Sequence, residues 1–211
     1  MKPRENPVLH LATSNSGKVG DFTAIAQESG VEMRPFPGFA ALPPVLEDGS
    51  TFEQNARKKA QQYSLALPGE MVIADDSGLE VEALAGAPGV LSARYGTEYS
   101  RGDATQNSSD AANNAHLLRE LAAVPDDQRA AQFVCVIAAA RDGEVLHIAR
   151  GEVRGTILRA PRGSRGFGYD PLFFYPPLRK TFAELAAAEK AQVSHRGKAF
   201  RALLSWMVGS R

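Results

Sequence analysis

The chain has 211 residues, 44% of them hydrophobic and 23% charged, with 24 Lys plus Arg against 24 Asp plus Glu. That length can bury a core of ordinary size, and the balanced charge excludes a global field drawing in nucleic acid or an anionic membrane, so any anion site has to be local. No apolar run approaches a membrane span and residues 1–6 carry no signal-peptide apolar segment, which predicts a cytoplasmic protein forming a single domain over 1–211.

Residues 7–13 read as a strand that turns through Ser14-Asn15-Ser16-Gly17 into a helix over 18–28, with Phe22, Ile25 and Ala26 at helical spacing. An extended piece at 31–36 leads into a Pro/Gly-rich loop. Thr51 is placed to cap a helix carrying Phe52, Ala56, Ala60 and Tyr63 along one face. The apolar run Met71-Val72-Ile73-Ala74 predicts a buried strand that ends in Asp75-Asp76 and a turn through Ser77-Gly78. Residues 83–93 are small, with a Pro88-Gly89 turn. The polar stretch 97–114 predicts a surface loop feeding a helix at 110–123. Asp142-Gly143 between the apolar runs 131–141 and 144–150 is a hairpin signal. Further strands are expected at 155–158 and 171–175. A C-terminal helix over 194–208 turns Ala199, Leu203, Trp206 and Met207 inward. Cys135, the single cysteine, cannot form an internal disulfide and sits in an apolar run as an inert core position. Strands mixed with helices around a central hairpin predict an α/β (α+β mixed) fold with a mixed sheet.

Five groups of residues can carry chemistry. Asp75 and Asp76 are adjacent acids on a buried strand, where repulsion and desolvation call for a cation; a divalent metal holding a phosphate is one answer, and an Asx turn closing the strand is the other. Thr13-Ser14-Asn15-Ser16-Gly17-Lys18 is a strand-to-helix turn suited to phosphate, although Ala12 and Val19 fail the Walker A pattern. Glu47-Asp48-Gly49 precedes the Thr51 helix; capping explains acids there unless the Asp75-Asp76 site needs one. Gly166-Phe167-Gly168-Tyr169-Asp170-Pro171 follows the basic loop 159–165 and offers Phe167 for stacking on a planar ligand, or is a Gly-rich turn over core aromatics. Finally, Ser194 can cap a helix whose first turn holds His195 and Arg196, cations that the helix dipole disfavours there, with Glu189-Lys190 just before.

In combination these segments resemble the inosine triphosphate pyrophosphatase (Ham1-like) family. The resemblance runs from Leu11 to about Leu203. It is carried by Ala12–Lys18, Thr51-Phe52-Glu53-Gln54-Asn55-Ala56, Ala74-Asp75-Asp76-Ser77-Gly78-Leu79, Gly86-Ala87-Pro88-Gly89, Ser92-Ala93-Arg94-Tyr95, residues 166–173, Thr181-Phe182-Ala183-Glu184-Leu185, Glu189-Lys190 and Ser194-His195-Arg196-Gly197. It implies a homodimer whose subunits have a long mixed sheet flanked by helices and two lobes around an active-site cleft. It implies Mg²⁺-dependent hydrolysis of ITP, dITP and XTP to the monophosphate and pyrophosphate, with no nucleic-acid or membrane partner. Position by position, Asp76 matches the catalytic base and a metal ligand, Glu47 a second metal carboxylate, and Asp75 a supporting acid. Thr13, Ser14, Asn15, Ser16, Gly17 and Lys18 match the phosphate-binding turn and Ser77 a substrate contact. Phe167, Gly168, Tyr169, Asp170, Lys190, His195 and Arg196 match the nucleobase pocket.

Three positions depart from the family pattern. Ser14 replaces a Gly and is tolerated with negative φ; Asp21 is one methylene shorter than the common Glu, so its contact is expected to become indirect; Gln54 removes a charge near the expected metal. Two rival readings remain: a Maf-like pyrophosphatase acting on pyrimidine or modified nucleotides, and a nucleotide-binding module without catalysis. Strand alternation sends Asp75 and Asp76 to opposite faces unless the turn breaks it, so the two are not expected to be equivalent ligands, and the resemblance assigns the chemistry to Asp76.

Overall fold

The structure is a computed structural model and describes residues 8–96 and 107–209. Part of the predicted 97–114 loop, and residue 7 of the first predicted strand, lie outside the described residues. In chain order the elements are β1 (Leu9–Leu11), α1 (Ser16–Ser29), β2 (Met33–Pro35), α2 (Phe52–Ser64), β3 (Met71–Val81), α3 (Asp110–Glu120), β4 (Ala130–Arg141), β5 (Glu144–Ile157), β6 (Phe173–Tyr175), β7 (Lys180–Thr181), α4 (Ala187–Val193) and α5 (His195–Gly209), with short 3₁₀ turns between them. The described strands form one sheet in the order β2-β1-β3-β4-β5-β6-β7. It is mixed: β1 runs parallel to β2 and β3, whereas β6 is antiparallel to β5 and β7. The α/β class expected from the pattern is therefore the one observed.

The chain falls into two compact units, the first Met1–Asp76, Cys135–Gly151 and Ala191–Arg211, the second Ser77–Val134 and Glu152–Lys190. In the first, α1 buries Phe22, Ile25 and Ala26, the three residues its spacing selected, against Leu9, Ile73, Ile137, Phe200 and Leu203. Phe22 and Phe200 place their rings 6.1 Å apart. Thr51 caps α2, accepting from the Gln54 N–H at 3.2 Å. Asp142 and Gly143 turn the β4–β5 hairpin with φ of 50° and 82°, and Cys135 is fully buried. The second unit is built on Phe133, Phe173 and Phe182, with ring centroids 4.5 to 5.7 Å apart.

Two expectations are corrected, both at glycines. The strand carrying Asp75 and Asp76 does not end there: β3 continues through Ser77 and Gly78 to Val81. It has neighbours on both sides, so a turn would forfeit ladder hydrogen bonds. Gly78 serves close approach instead, since a Cβ there would collide with Ser92 Oγ and lie 2.6 Å from the Gly89 carbonyl oxygen. Likewise 144–150 and 155–158 are one strand, β5. Its two glycines relieve contacts: a Cβ on Gly151 would collide with backbone atoms of His195 and Ala199, and one on Gly155 would sit 2.6 Å from the Phe173 ring. A short helix that the pattern did not suggest, α4, precedes α5.

Candidate active site

In the first unit, β3 carries Asp75 and Asp76 to buried positions, 3% and 6% exposed. As β3 is still a strand at these residues, their side chains leave on opposite faces. Asp75 Oδ2 lies 3.0 Å from Lys18 Nζ and 3.9 Å from Arg196 Nε. Lys18 gets there because Asn15 caps α1, its Oδ1 accepting from the Lys18 N–H at 3.0 Å. Arg196 stands in the first turn of α5, which Ser194 caps by accepting from the Gly197 N–H at 3.1 Å. A cation there is disfavoured by the helix dipole, and Asp21 compensates: Arg196 Nη1 donates to Asp21 Oδ2 at 3.0 Å. The expectation that the shorter Asp21 makes an indirect contact is thus overturned, since α1 brings it close enough to pair directly. Burial works against the Asp75 carboxylate, yet Lys18, Arg196 and Lys59 outweigh it and hold Asp75 below the ordinary carboxylate range.

Asp76 has a different circle. Its Oδ2 accepts from Asn55 Nδ2 at 3.0 Å and its Oδ1 lies 3.6 Å from Lys59 Nζ. The same ammonium donates to Glu47 Oε2 at 2.9 Å. Asn55 Oδ1 in turn accepts from the Gly49 N–H at 2.8 Å, tying the 47–49 loop down beside Asp76. Burial pushes Asp76 above the ordinary carboxylate range and Glu47 adds to it, against the opposing pull of Lys59 and Lys18. For Lys59 burial is likewise the largest influence, but Asp76, Glu47 and Asp75 together hold the ammonium above its usual value.

Glu47 and Asp76, two hard oxygen donors, thus converge on one cation, with the Lys59 ammonium in the role of counter-ion. Among the described residues no group of three or more His, Cys, Asp or Glu side chains could hold a metal. The pair Glu47 and Asp76 is instead the smaller donor set that Mg²⁺ accepts, one or two carboxylates with the remaining positions left to water and phosphate oxygens. The residues present fit such an ion.

Asn55 and Lys59 were missed from the sequence. The signal was there: they lie on the buried face of α2 with Phe52, Ala56, Ala60 and Tyr63, and an amide and an ammonium at core positions require polar partners. Glu53 pairs with Arg57 at 2.8 Å and Asp48 with Lys58 at 2.7 Å, so these acids are accounted for by local pairs. Gln54 Oε1 accepts from the Ser50 N–H at 2.8 Å, a helix-start role. In the turn, Thr13 Oγ1 accepts from the Asn15 N–H at 3.2 Å; Ser14 and Ser16 are exposed, Gly17 half-buried. Among the described residues positive φ outside glycine is confined to Ala85, Asp142 and Arg179, so Ser14 fits without left-handed strain. His195 is buried at the start of α5.

The second unit holds the remaining predicted residues. Ser77 is half-buried on β3. Asp170 Oδ2 accepts from the Phe167 N–H at 3.0 Å and from Lys190 Nζ at 2.7 Å. Lys190 Nζ also stands 5.0 Å from the Phe167 ring centroid, a cation–π distance. Gly166 has φ +75°, and a Cβ there would collide with Asp170 Oδ2, so this loop requires glycine. Tyr169 is buried and its hydroxyl donates to the Ser92 carbonyl at 2.8 Å; burial raises that phenol above its usual value. Its side chain is a strut, and Phe167 is the half-buried ring of the loop.

Comparison with known proteins identifies the family. The family model described as Ham1 family matches residues 9–206. The dITP/XTP pyrophosphatase of Acidobacterium capsulatum is 46% identical over 201 residues, covering 95% of this chain and 98% of that protein. The dITP/XTP pyrophosphatase of Geobacillus kaustophilus is 48% identical over 193 residues, covering 92% and 90%. Among solved structures, the Staphylococcus aureus Ham1 protein is 40% identical with a TM-score of 0.79 and covers 97% of this chain and 100% of its own. With a family match spanning most of the sequence and relatives this similar over nearly their full length, the chain belongs to the Ham1 family.

Proposed function

We propose that the protein is a single-domain, cytoplasmic, homodimeric hydrolase that cleaves the deaminated purine nucleotides ITP, dITP and XTP between the α- and β-phosphates, with Mg²⁺ as cofactor. The observation that carries this reading is the convergence of Glu47 and Asp76 on one cation position. Relatives described as dITP/XTP pyrophosphatases, 46% to 48% identical over nearly the whole chain, support the substrate class. No helix of the described residues is long and apolar enough to cross a membrane.

Glu47 and Asp76 would hold the metal, which when bound supplies charge neutralisation on the phosphates. Lys18 and the α1 N-terminus hold the triphosphate by charge and backbone N–H groups. Asp76, with a raised proton affinity and a fixed hydrogen bond from Asn55, orients the attacking water and takes its proton. Asp75 is ionised and keeps Lys18 and Arg196 in place. Phe167 stacks on the base. Lys190, held by Asp170, and His195 and Arg196, the latter held by Asp21, are the donors assigned to O6. Adenine offers an amino donor at that position, and a site built this way discriminates by roughly 10⁴-fold.

Incubation with ITP, ATP and dTTP in the presence of Mg²⁺, followed by product identification, tests the reading. IMP with pyrophosphate is the expected result. Orthophosphate would place the cleavage elsewhere, preference for dTTP would indicate a Maf-like enzyme, and the absence of any product would leave a binding module.

A further inference from the structure

We propose that α3 is the positioning element for the base-reading loop, acting through Asp110 and Asn114 on the two peptide groups of Gly168. This rests on the assignment of Phe167–Asp170 to the nucleobase. Asp110 Oδ2 accepts from the Gly168 N–H at 2.6 Å, and Asn114 Nδ2 donates to the Gly168 carbonyl at 2.9 Å. The two residues are four apart, hence one above the other on the same helix face. A carboxylate only accepts and an amide must present its NH₂ to a carbonyl, so the pair fits Gly168 in a single orientation. The other end of the amide, Asn114 Oδ1, is buried with no hydrogen-bond donor among the described residues, so the bond to Gly168 sets how this side chain is turned.

The loop needs such a hold. Gly168 has φ +59°, and a glycine loses more backbone freedom on ordering than any other residue. On its N-terminal side Phe167 is fixed by Asp170, whose carboxylate takes the Phe167 N–H. On its C-terminal side Tyr169 is tied to Ser92. Gly168 is the link between them, and α3 grips it at both of its polar groups. The helix itself is anchored: Asn113 accepts from the Gly96 N–H at 2.7 Å and donates to the Ala93 carbonyl at 3.3 Å, and His116 packs on Tyr95 with rings 4.6 Å apart. The plane of Phe167 is thus referred to the body of the second unit.

The test uses the full-length protein and compares Asn114→Asp, Asp110→Ala and Asp110→Asn, with Phe167→Ala as a separate arm. N114D turns an acceptor toward the Gly168 carbonyl; D110N can still accept from the N–H. Expected are a roughly tenfold rise in the KM for ITP in N114D and D110A, a matching loss of ITP-over-ATP preference, a smaller change in kcat, and partial retention in D110N. Exchange of the Gly168 amide, followed by NMR, should quicken about tenfold in D110A. Unchanged KM and preference in both N114D and D110A, with F167A impaired, would overturn the role of α3 alone. An unchanged KM for ITP in F167A would overturn the base reading and the role built on it. Unchanged exchange at Gly168 in D110A would show that no clamp operates.

Discussion

Lys59→Met removes the ammonium shared by Glu47 and Asp76 while keeping a side chain of similar length. Lys59 and Asp76 are 10% and 9% exposed at the side chain and 3.6 Å apart, Glu47 is 36% exposed. At the effective dielectric that suits such sites, a charge pair near 4 Å is worth about 4 kcal/mol, and the half-open Glu47 adds at most about 1 kcal/mol. Relief of the buried ammonium offsets part of this, so a net loss of about 2–3 kcal/mol is expected without metal. For a chain of this size that lowers Tm by roughly 5–10 °C. On the proposed assignment a divalent ion takes the place of the ammonium between the same two carboxylates, so saturating Mg²⁺ should restore much of the loss, and the Mg²⁺-induced rise in Tm should be larger in K59M than in wild type. Scanning calorimetry with and without Mg²⁺ measures both. If K59M loses the same Tm at zero and saturating Mg²⁺, ammonium and metal do not share the site, and the metal assignment of Glu47 and Asp76 is wrong.

Asp75→Asn should cost about 3–5 kcal/mol at neutral pH, because it strands Lys18 and Arg196 beside a neutral amide. The folded-state proton affinity of Asp75 is lowered, so its contribution is fully present above the ordinary carboxylate range and disappears as pH falls through the depressed value. Urea unfolding across acid pH should therefore be flatter in D75N, and an acid slope equal to wild type would refute the assignment. For Asp76 the sign is opposite: its folded-state affinity is raised, its ionised form costs stability above that value, and a proton competes with metal as pH falls through it. Calorimetric Mg²⁺ titrations should weaken from a higher pH than an ordinary carboxylate would dictate, and Asp76→Asn should abolish both that dependence and turnover. Gly151→Ala places a methyl against backbone atoms of His195 and Ala199 and should destabilise by about 1–3 kcal/mol in urea melts; wild-type stability would mean that α5 can lift from β5.

Local pattern disclosed the helices well where propensity, cap and apolar face agreed. Thr51 marked the cap of α2 and Phe52, Ala56, Ala60 and Tyr63 its buried face, and Asp142-Gly143 defined the hairpin. Glycine was ambiguous in principle: it signals either a backbone that must bend or a neighbour that must come close, and Gly78, Gly151 and Gly155 are of the second kind. That neighbour is Ser92, His195 or Phe173, none adjacent in sequence, so nothing local distinguishes the cases. The candidate site divides in the same way. Glu47, Asp75, Asp76 and Lys18 stood out by residue type and by their neighbours in the sequence. The pairings that give them their roles, Asp75 with Lys18 and Arg196, Asp76 with Asn55 and Lys59, join distant positions and emerge only from the packing.

The misread turn matters most for what it does to Asp75 and Asp76. Had the chain turned through Ser77-Gly78 and broken the alternation, both acids could have faced one ion as equivalent ligands. Because β3 runs on, neighbouring carboxylates that would repel are directed apart, and each acquires its own counter-charges. Lys18 and Arg196 drive Asp75 below the ordinary carboxylate range; burial, with Glu47 adding to it, lifts Asp76 above that range against Lys59 and Lys18. Two like groups pushed in opposite directions by their surroundings mark a division of labour between a charge that is always present and one that can be exchanged for a proton or a cation. On that physics Asp75 is the fixed charge that holds Lys18 and Arg196, and Asp76 is the carboxylate suited to the proposed role, in which its state changes during turnover.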